Sequence, residues 1–434
     1  MTVGAQFAPV YLPDEDYTED EDTETIDVND DDYVVVDVDD FIEKVEAEIA
    51  EEEAQKKEGE AGDAGNAGEA EDAEDAEDAD EPETIQRDSF LSFEEHTDSV
   101  LCVAFNPSKN SQVLTGGQDN RAFLFDYNHP EQKRELAGHT DSVCAIAFNT
   151  AGDLCATGDM NGLIQIWRTA NGKLVASLQG PEELEWLKFH PKGNLLLASG
   201  NDFSVWTWMV PAADSLTILS GHTDIVTSAA VAPSGKLLVT GSLDNTLKMW
   251  QLRSHELLYS VKSEENNWHE GGLECLDLFA TNSLAVSGAR DGSVKLTNLK
   301  THKVLAGYKH SSSNEDENCS VEDVAFNPVF HWVASASMNS TVMVYDYQTS
   351  CVRHELKHDG GVIKLAWHPN GIVLVTGCLD GCVYLWNGRD GSLIHKMNGH
   401  TDMLLNMDVI VKGKKTYIAT VGDDKTCQVY RVDF

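Results

Sequence analysis

From residue 88 onward the chain repeats itself, and this constrains the fold more than any other feature. The strongest unit reads Gly221-His222-Thr223-Asp224, then Val239 to Asp244, then Leu247-Lys248-Met249-Trp250, with Asp244 six residues before Trp250. The same frame recurs at Asp119/Phe125, Asn161/Trp167, Asp202/Trp208, Asp291/Thr297, Asn339/Tyr345, Asp380/Trp386 and Asp424/Tyr430, with 41 to 48 residues between successive frames. A His precedes the Asp or Asn by 22 to 24 residues in six units: His96, His139, His222, His269, His358 and His400. In a seventh, His310 stands 29 residues ahead, because Ser311 to Asn318 carries an insertion. The third unit has Gly180-Pro181-Glu182 where the His would be. Between these markers run apolar, β-branched stretches such as Val100-Leu101-Cys102-Val103-Ala104-Phe105. They alternate with Asn, Asp, Gly and Pro turns, the pattern of short antiparallel strands with no helical period. Eight units of about 43 residues leave room for four strands each.

Ahead of the repeats the composition changes. Residues 1–87 hold 34 acidic and 4 basic residues, a net charge of −30, against −13 for the rest and −43 for all 434 residues. With the low-complexity tract Ala61 to Asp80, this tail cannot bury enough apolar surface to offset the entropy of ordering, and disorder is expected for 1–87. Phe41, Val45 and Ile49 recur at helical spacing behind Asp39 and Asp40, so one short helix over Asp39 to Lys57 stays open. The overall charge argues against direct nucleic-acid binding and against docking on anionic membranes. No apolar run is long enough to span a bilayer. Met1 to Tyr17 lacks the basic and apolar regions of a secretory signal. Nine scattered cysteines without a CxxC pair point to reduced thiols, no metal and a cytoplasmic setting, with nuclear shuttling left open.

The Gly-His, Asp and Trp frame resembles the WD repeat. The resemblance covers residues 88–434 and implies an all-β fold, an eight-bladed WD-repeat propeller. In that family each repeat supplies the outer strand of one blade and the three inner strands of the next. The last unit ends after its third strand, so Ser89 to Phe93 is expected to close the ring by pairing beside Val429 and Tyr430. The sets His222/Thr240/Asp244 with Trp250, His358/Thr376/Asp380 with Trp386, and His400/Thr420/Asp424 with Tyr430 could be misread as catalytic triads. Their recurrence in several units argues for buried structural networks instead, with no catalytic residue and no cofactor. Unit three lacks the His and has Ala198 for the Thr, and unit five has Thr297 for the aromatic. Those two blades are expected to rely on packing alone.

Two further stretches are unusual among WD repeats: Leu184-Glu185-Trp186-Leu187-Lys188-Phe189-His190-Pro191, and Val205-Trp206-Thr207-Trp208-Met209-Val210-Pro211. They resemble the angio-associated migratory cell protein family and, more distantly, its fungal relative that chaperones a basic large-subunit ribosomal protein. That resemblance implies a monomeric escort for a nascent basic ribosomal protein. The alternative it carries is a signalling or cytoskeletal scaffold linked to cell migration. Repeat positions that face the channel mouth supply Glu183, Glu185, Glu274, Glu322 and Asp423, with Arg290 as a basic exception. Such a ring would focus negative potential and suit the Arg and Lys of an extended client peptide. Lys412-Gly413-Lys414-Lys415 reads as a solvated hairpin tip.

Overall fold

The computed structural model describes residues 87–433 apart from 110, 213–215, 262–266, 280–283 and 311–317. The acidic tail, the helix over Asp39 to Lys57 and the acidic insertion before the sixth unit lie outside the described residues. Every described strand belongs to one of eight four-stranded antiparallel sheets, seven of them meanders of consecutive strands. Numbered from the N-terminus, blades 1 to 8 begin with the inner strands Val100–Phe105, Val143–Phe148, Trp186–Phe189, Ser228–Val231, Leu273–Leu278, Val321–Phe326, Val362–Trp367 and Leu404–Lys412.

Blade 8 draws its outermost strand, Leu91–Phe93, from the start of the propeller. It pairs antiparallel with Cys427–Asp433 in the register Leu91↔Val429, Ser92↔Gln428 and Phe93↔Cys427. Phe93 is buried there and stacks on Phe125 of blade 1, ring centroids 4.0 Å apart, so the strand joins the last blade to the first. The seam core also takes in Val100, Val113, Tyr417 and Val429.

The turn between the second and third strands explains why the Asp recurs. The residue after it has a left-handed φ in all eight blades: Asn120, Gly162, Phe203, Asn245, Gly292, Ser340, Gly381 and Lys425, between 62° and 83°. In blade 4 the Asp244 carboxylate accepts the Thr246 N–H at 2.9 Å and the Thr223 N–H at 2.9 Å, tying this turn to the loop that enters the blade. Gly and Asn tolerate that φ at little cost.

Around the channel, neighbouring inner strands are stitched by side chains. Thr227 donates to the Leu273 carbonyl at 2.6 Å. Asp277, Asp323 and Asp408 accept the N–H groups of Phe326, Leu365 and Phe105 at 2.8, 3.0 and 2.7 Å. Each bond crosses from one blade to the next, and the last spans the closing seam.

Candidate functional site

The repeated His sets are interior. In blade 4 Trp250 Nε1 donates to Thr240 Oγ1 at 2.9 Å, Thr240 lies 2.8 Å from His222 Nε2, and His222 Nδ1 lies 2.9 Å from Asp244. This donor chain assigns the neutral Nδ1–H tautomer. Burial lowers the His222 pKa, which keeps it neutral. Burial opposes charge on Asp244, but the hydrogen bonds from His222, Thr246 and the Thr223 N–H outweigh it and hold that carboxyl well below the usual range. His400 repeats the geometry with Thr420 at 2.7 Å and Asp424 at 2.9 Å.

Five blades depart from the expected sets. In blade 7 His358 meets Thr376 at 2.8 Å and Trp386 Nε1 at 3.1 Å, but Asp380 turns away to accept from the Tyr384 hydroxyl at 2.6 Å and pairs with Lys396 at 3.1 Å. His358 Nδ1 is left without a hydrogen-bond partner. In blade 8 the Tyr430 hydroxyl is buried and has no partner, so its ring contributes packing only. In blade 2 Asp159, two residues ahead of the expected Asn161, receives His139 at 3.2 Å. Blade 5 is not held by packing alone: His269 lies 2.8 Å from Ser287 and 2.5 Å from Ser293, which donates to Asp291. The Thr297 hydroxyl there is buried and unpartnered, as a residue replacing an indole without reaching its place would be. Blade 3 fixes its Asp through Ser204 at 2.7 Å and Trp206 Nε1 at 2.6 Å.

In a four-stranded meander the loops entering the inner strand and the turns between the second and third strands share one face. Glu185, Glu274 and Glu322 come together on that face, lining a cavity of about 290 Å³ at the mouth of the channel with Thr227, Asp323, Lys188 and Lys364. Burial raises the Glu185 pKa, and Glu274 and Glu183 add to the shift. Burial also raises Glu274, with Glu322 adding to it and Arg290 opposing it. These carboxylates therefore feel one another, as a cation-binding mouth requires. Arg290 forms an ion pair with Glu274. Glu183 is exposed beside Glu185, its N–H bonded to the Met160 carbonyl at 2.8 Å. Asp423 stands apart: it sits in a turn of blade 8, across the ring, and does not line the cavity. The arc thus runs over blades 3 to 6.

Two features of this face escaped the sequence reading. Met160, Phe203 and Met403 are exposed large apolar residues on its turns and entry loops, at 36%, 39% and 44%. Phe203 holds a left-handed φ of 63° that a bulky residue seldom adopts. Below the mouth Lys188 donates to the Ala229 carbonyl at 2.5 Å, and Lys364 and Asp323 face the same cavity. Among the described residues no cluster of three or more His, Cys, Asp or Glu is arranged to hold a metal ion. All nine cysteines are free.

Comparison with known proteins adds the following. The WD domain, G-beta repeat family matches at residues 88–126, 130–168, 213–251, 309–346 and 349–387. The human angio-associated migratory cell protein is 32% identical over 347 residues, covering 78% of this chain and 79% of its own. The ribosome assembly protein SQT1 of Saccharomyces cerevisiae is 28% identical over 380 residues, covering 80% and 88%. A crystal structure of Chaetomium thermophilum Sqt1 bound to the N-terminus of the ribosomal protein L10 superposes with a TM-score of 0.72. It is 24% identical, with 80% of this chain and all of that one covered, a likeness of fold.

Proposed function

The chain belongs to the angio-associated migratory cell protein family of WD-repeat propellers, and from that membership we propose that it is a non-enzymatic escort for a basic ribosomal protein. The observation that carries this reading is the convergence of Glu185, Glu274 and Glu322 on one channel mouth, in a chain homologous to a ribosome assembly protein. An extended client segment lies over blades 3 to 6. Its Arg and Lys side chains reach the three carboxylates, and guanidinium groups pair bidentately where the geometry allows. Glu183 and Asp423 add charge at the rim. Met160 and Phe203 give the segment's apolar side chains a place to rest. The acidic tail raises the local concentration of a cationic client and competes with RNA for it. The protein acts in the cytoplasm as a monomer, capturing the client before assembly.

The test is calorimetric titration of Arg/Lys-rich ribosomal-protein peptides at two ionic strengths, with the wild type and with Glu185→Lys/Glu322→Lys. Binding that weakens with salt and disappears in the double variant, with an unchanged circular dichroism spectrum, supports the reading. Unchanged affinity in the double variant overturns it. The name of the human relative favours a second reading, a scaffold in cell migration. Such a scaffold would bind its partners without this mouth and with little salt dependence.

A further inference from the structure

The face opposite the mouth carries the other sign of charge. The described turns joining first and second strands lie on it. In sequence they contain six lysines, Lys109, Lys192, Lys236, Lys412, Lys414 and Lys415, against one carboxylate, Asp153. All six lysines are exposed, and none forms an ion pair among the described residues. Asp153 is held by Asn149 at 2.8 Å.

The turns of blades 1 to 4 are linked in series. The Asn106 side chain donates to the Gly152 carbonyl at 2.8 Å, that of Asn149 to Asn194 Oδ1 at 3.0 Å, and His190 Nε2 lies 2.8 Å from the Gly235 carbonyl. Blade 8 pushes its turn outward. Its first two strands have nine and eight residues where the other blades use four to six. Three extra residues project the tip by about 10 Å.

At that tip Lys412 and Lys415 are directly paired across the ladder, with Lys414 between them. Like charges directly opposite destabilise a sheet. The nearby Asp433, ladder partner of Lys415, turns toward Arg431 at 4.0 Å. The tip therefore keeps a repulsion that contributes nothing to folding.

We propose that this underside binds the phosphate backbone of RNA. The inner turns carry lysines and no arginine, point charges on flexible stems in blades 1, 3, 4 and 8, and the third-to-fourth-strand turns of the same face add Arg253, Lys300 and Arg389 against Asp390 among the described residues. Such charges suit phosphates that need neutralising without sequence readout. An acidic peptide would need apolar anchors or forked donors to bind as well. The carboxylates of the mouth do not oppose this contact, because they lie on the other face of the propeller. A six-residue strand sets the two faces about 20 Å apart, and at physiological salt fields decay over about 8 Å. The expectation of no nucleic-acid contact came from the sum of charges, whereas binding depends on their placement.

The experiment measures fluorescence anisotropy of a labelled single-stranded uridine RNA of roughly 20 nucleotides, titrated with the full chain from 50 to 200 mM salt. Wild type should bind, with log K falling by about 0.7 per neutralised phosphate for each decade of salt. Lys412→Glu/Lys414→Glu/Lys415→Glu should weaken binding at least tenfold and lower that slope by about 2. Lys192→Glu/Lys236→Glu should weaken it on the opposite side of the ring. Glu185→Gln/Glu322→Gln, which blunts the mouth, should leave RNA affinity unchanged. No wild-type binding at 50 mM salt overturns the proposal, as does wild-type affinity in both Lys→Glu variants. A polyglutamate competitor that displaces the RNA at matched charge concentration assigns the surface to an acidic protein and overturns the RNA assignment. The two faces fail separately, since client peptides report on the mouth alone.

Discussion

Phe93→Ala tests whether the N-terminal strand closes the ring. Phe93 is 3% exposed, stacked 4.0 Å from Phe125 at an interplanar angle of 5° and edge-on to Phe123 at 5.6 Å. Both partners lie on the rigid third strand of blade 1, so the space left by truncation cannot collapse. Phe→Ala in a core costs about 3–5 kcal/mol, and a site that cannot relax belongs in the upper half of that range, about 4 kcal/mol. Phe90, three residues earlier, offers the control. It is 49% exposed and touches Tyr127 and Tyr417 only by ring edges, so Phe90→Ala should cost about 1 kcal/mol. For a domain of this size each kcal/mol moves the midpoint by about 2 °C. Calorimetry on the full chain should then show a fall of about 8 °C for Phe93→Ala and about 2 °C for Phe90→Ala. Hydrogen exchange should speed up selectively at Cys427–Asp433, the strand that loses its neighbour. Equal midpoints for the two variants, or unchanged exchange on that strand, would refute the closing role.

Three further outcomes follow from the buried groups. Asp244→Ala leaves His222 and the Thr223 N–H short of a partner and should cost about 1–3 kcal/mol for each, read as a lower urea midpoint. Burial lowers His310 and His358 to about 4, while the unfolded chain protonates near 6.5. Their contribution is therefore complete above about pH 6.5 and is lost as pH falls toward 4, about 3 kcal/mol per residue, measurable by urea titration across that window and reduced by half in His358→Gln. Asp408 has the opposite sign: burial raises it to about 6, so its charge works against the fold increasingly as pH rises from about 4 to 6. Asp408→Asn keeps an acceptor for the Phe105 N–H and should be more stable than wild type at pH 7.5, by up to about 3 kcal/mol, with no advantage at pH 4.

The blade count was readable because the signal is local. A tight turn needs a left-handed residue after a carboxylate or amide that caps it, and that chemistry sits within a few residues of sequence. The ring closure was readable for a related reason, since a last unit one strand short leaves an edge to be covered. The membership of each buried network was harder to read. His139 finds Asp159 rather than Asn161, and Asp380 prefers Tyr384 and Lys396 to His358. Counting back from the aromatic locates the turn. Which side chain reaches the imidazole depends on neighbours from other strands, and spacing does not record them. Blade 5 shows the same limit in reverse: Ser287 and Ser293 rebuild a network where the missing aromatic suggested none.

At the mouth, sequence position identified the carboxylates but not their counter-charges. Arg290 and Glu274 are 16 residues apart, and the meander places them side by side. Lys188 and Lys364 come from blades 3 and 7 into one cavity with Asp323. The inner strands of the separate blades converge on the channel, so a charge on one meets a charge four blades away. Net charge discards this arrangement. Within the propeller, carboxylates gather at the mouth, and the lysines of blades 1, 3, 4 and 8 stand on the far side about 20 Å away, beyond the reach of screened fields. A net charge of −43 therefore leaves room for a cation-seeking mouth and for the anion-seeking underside proposed above.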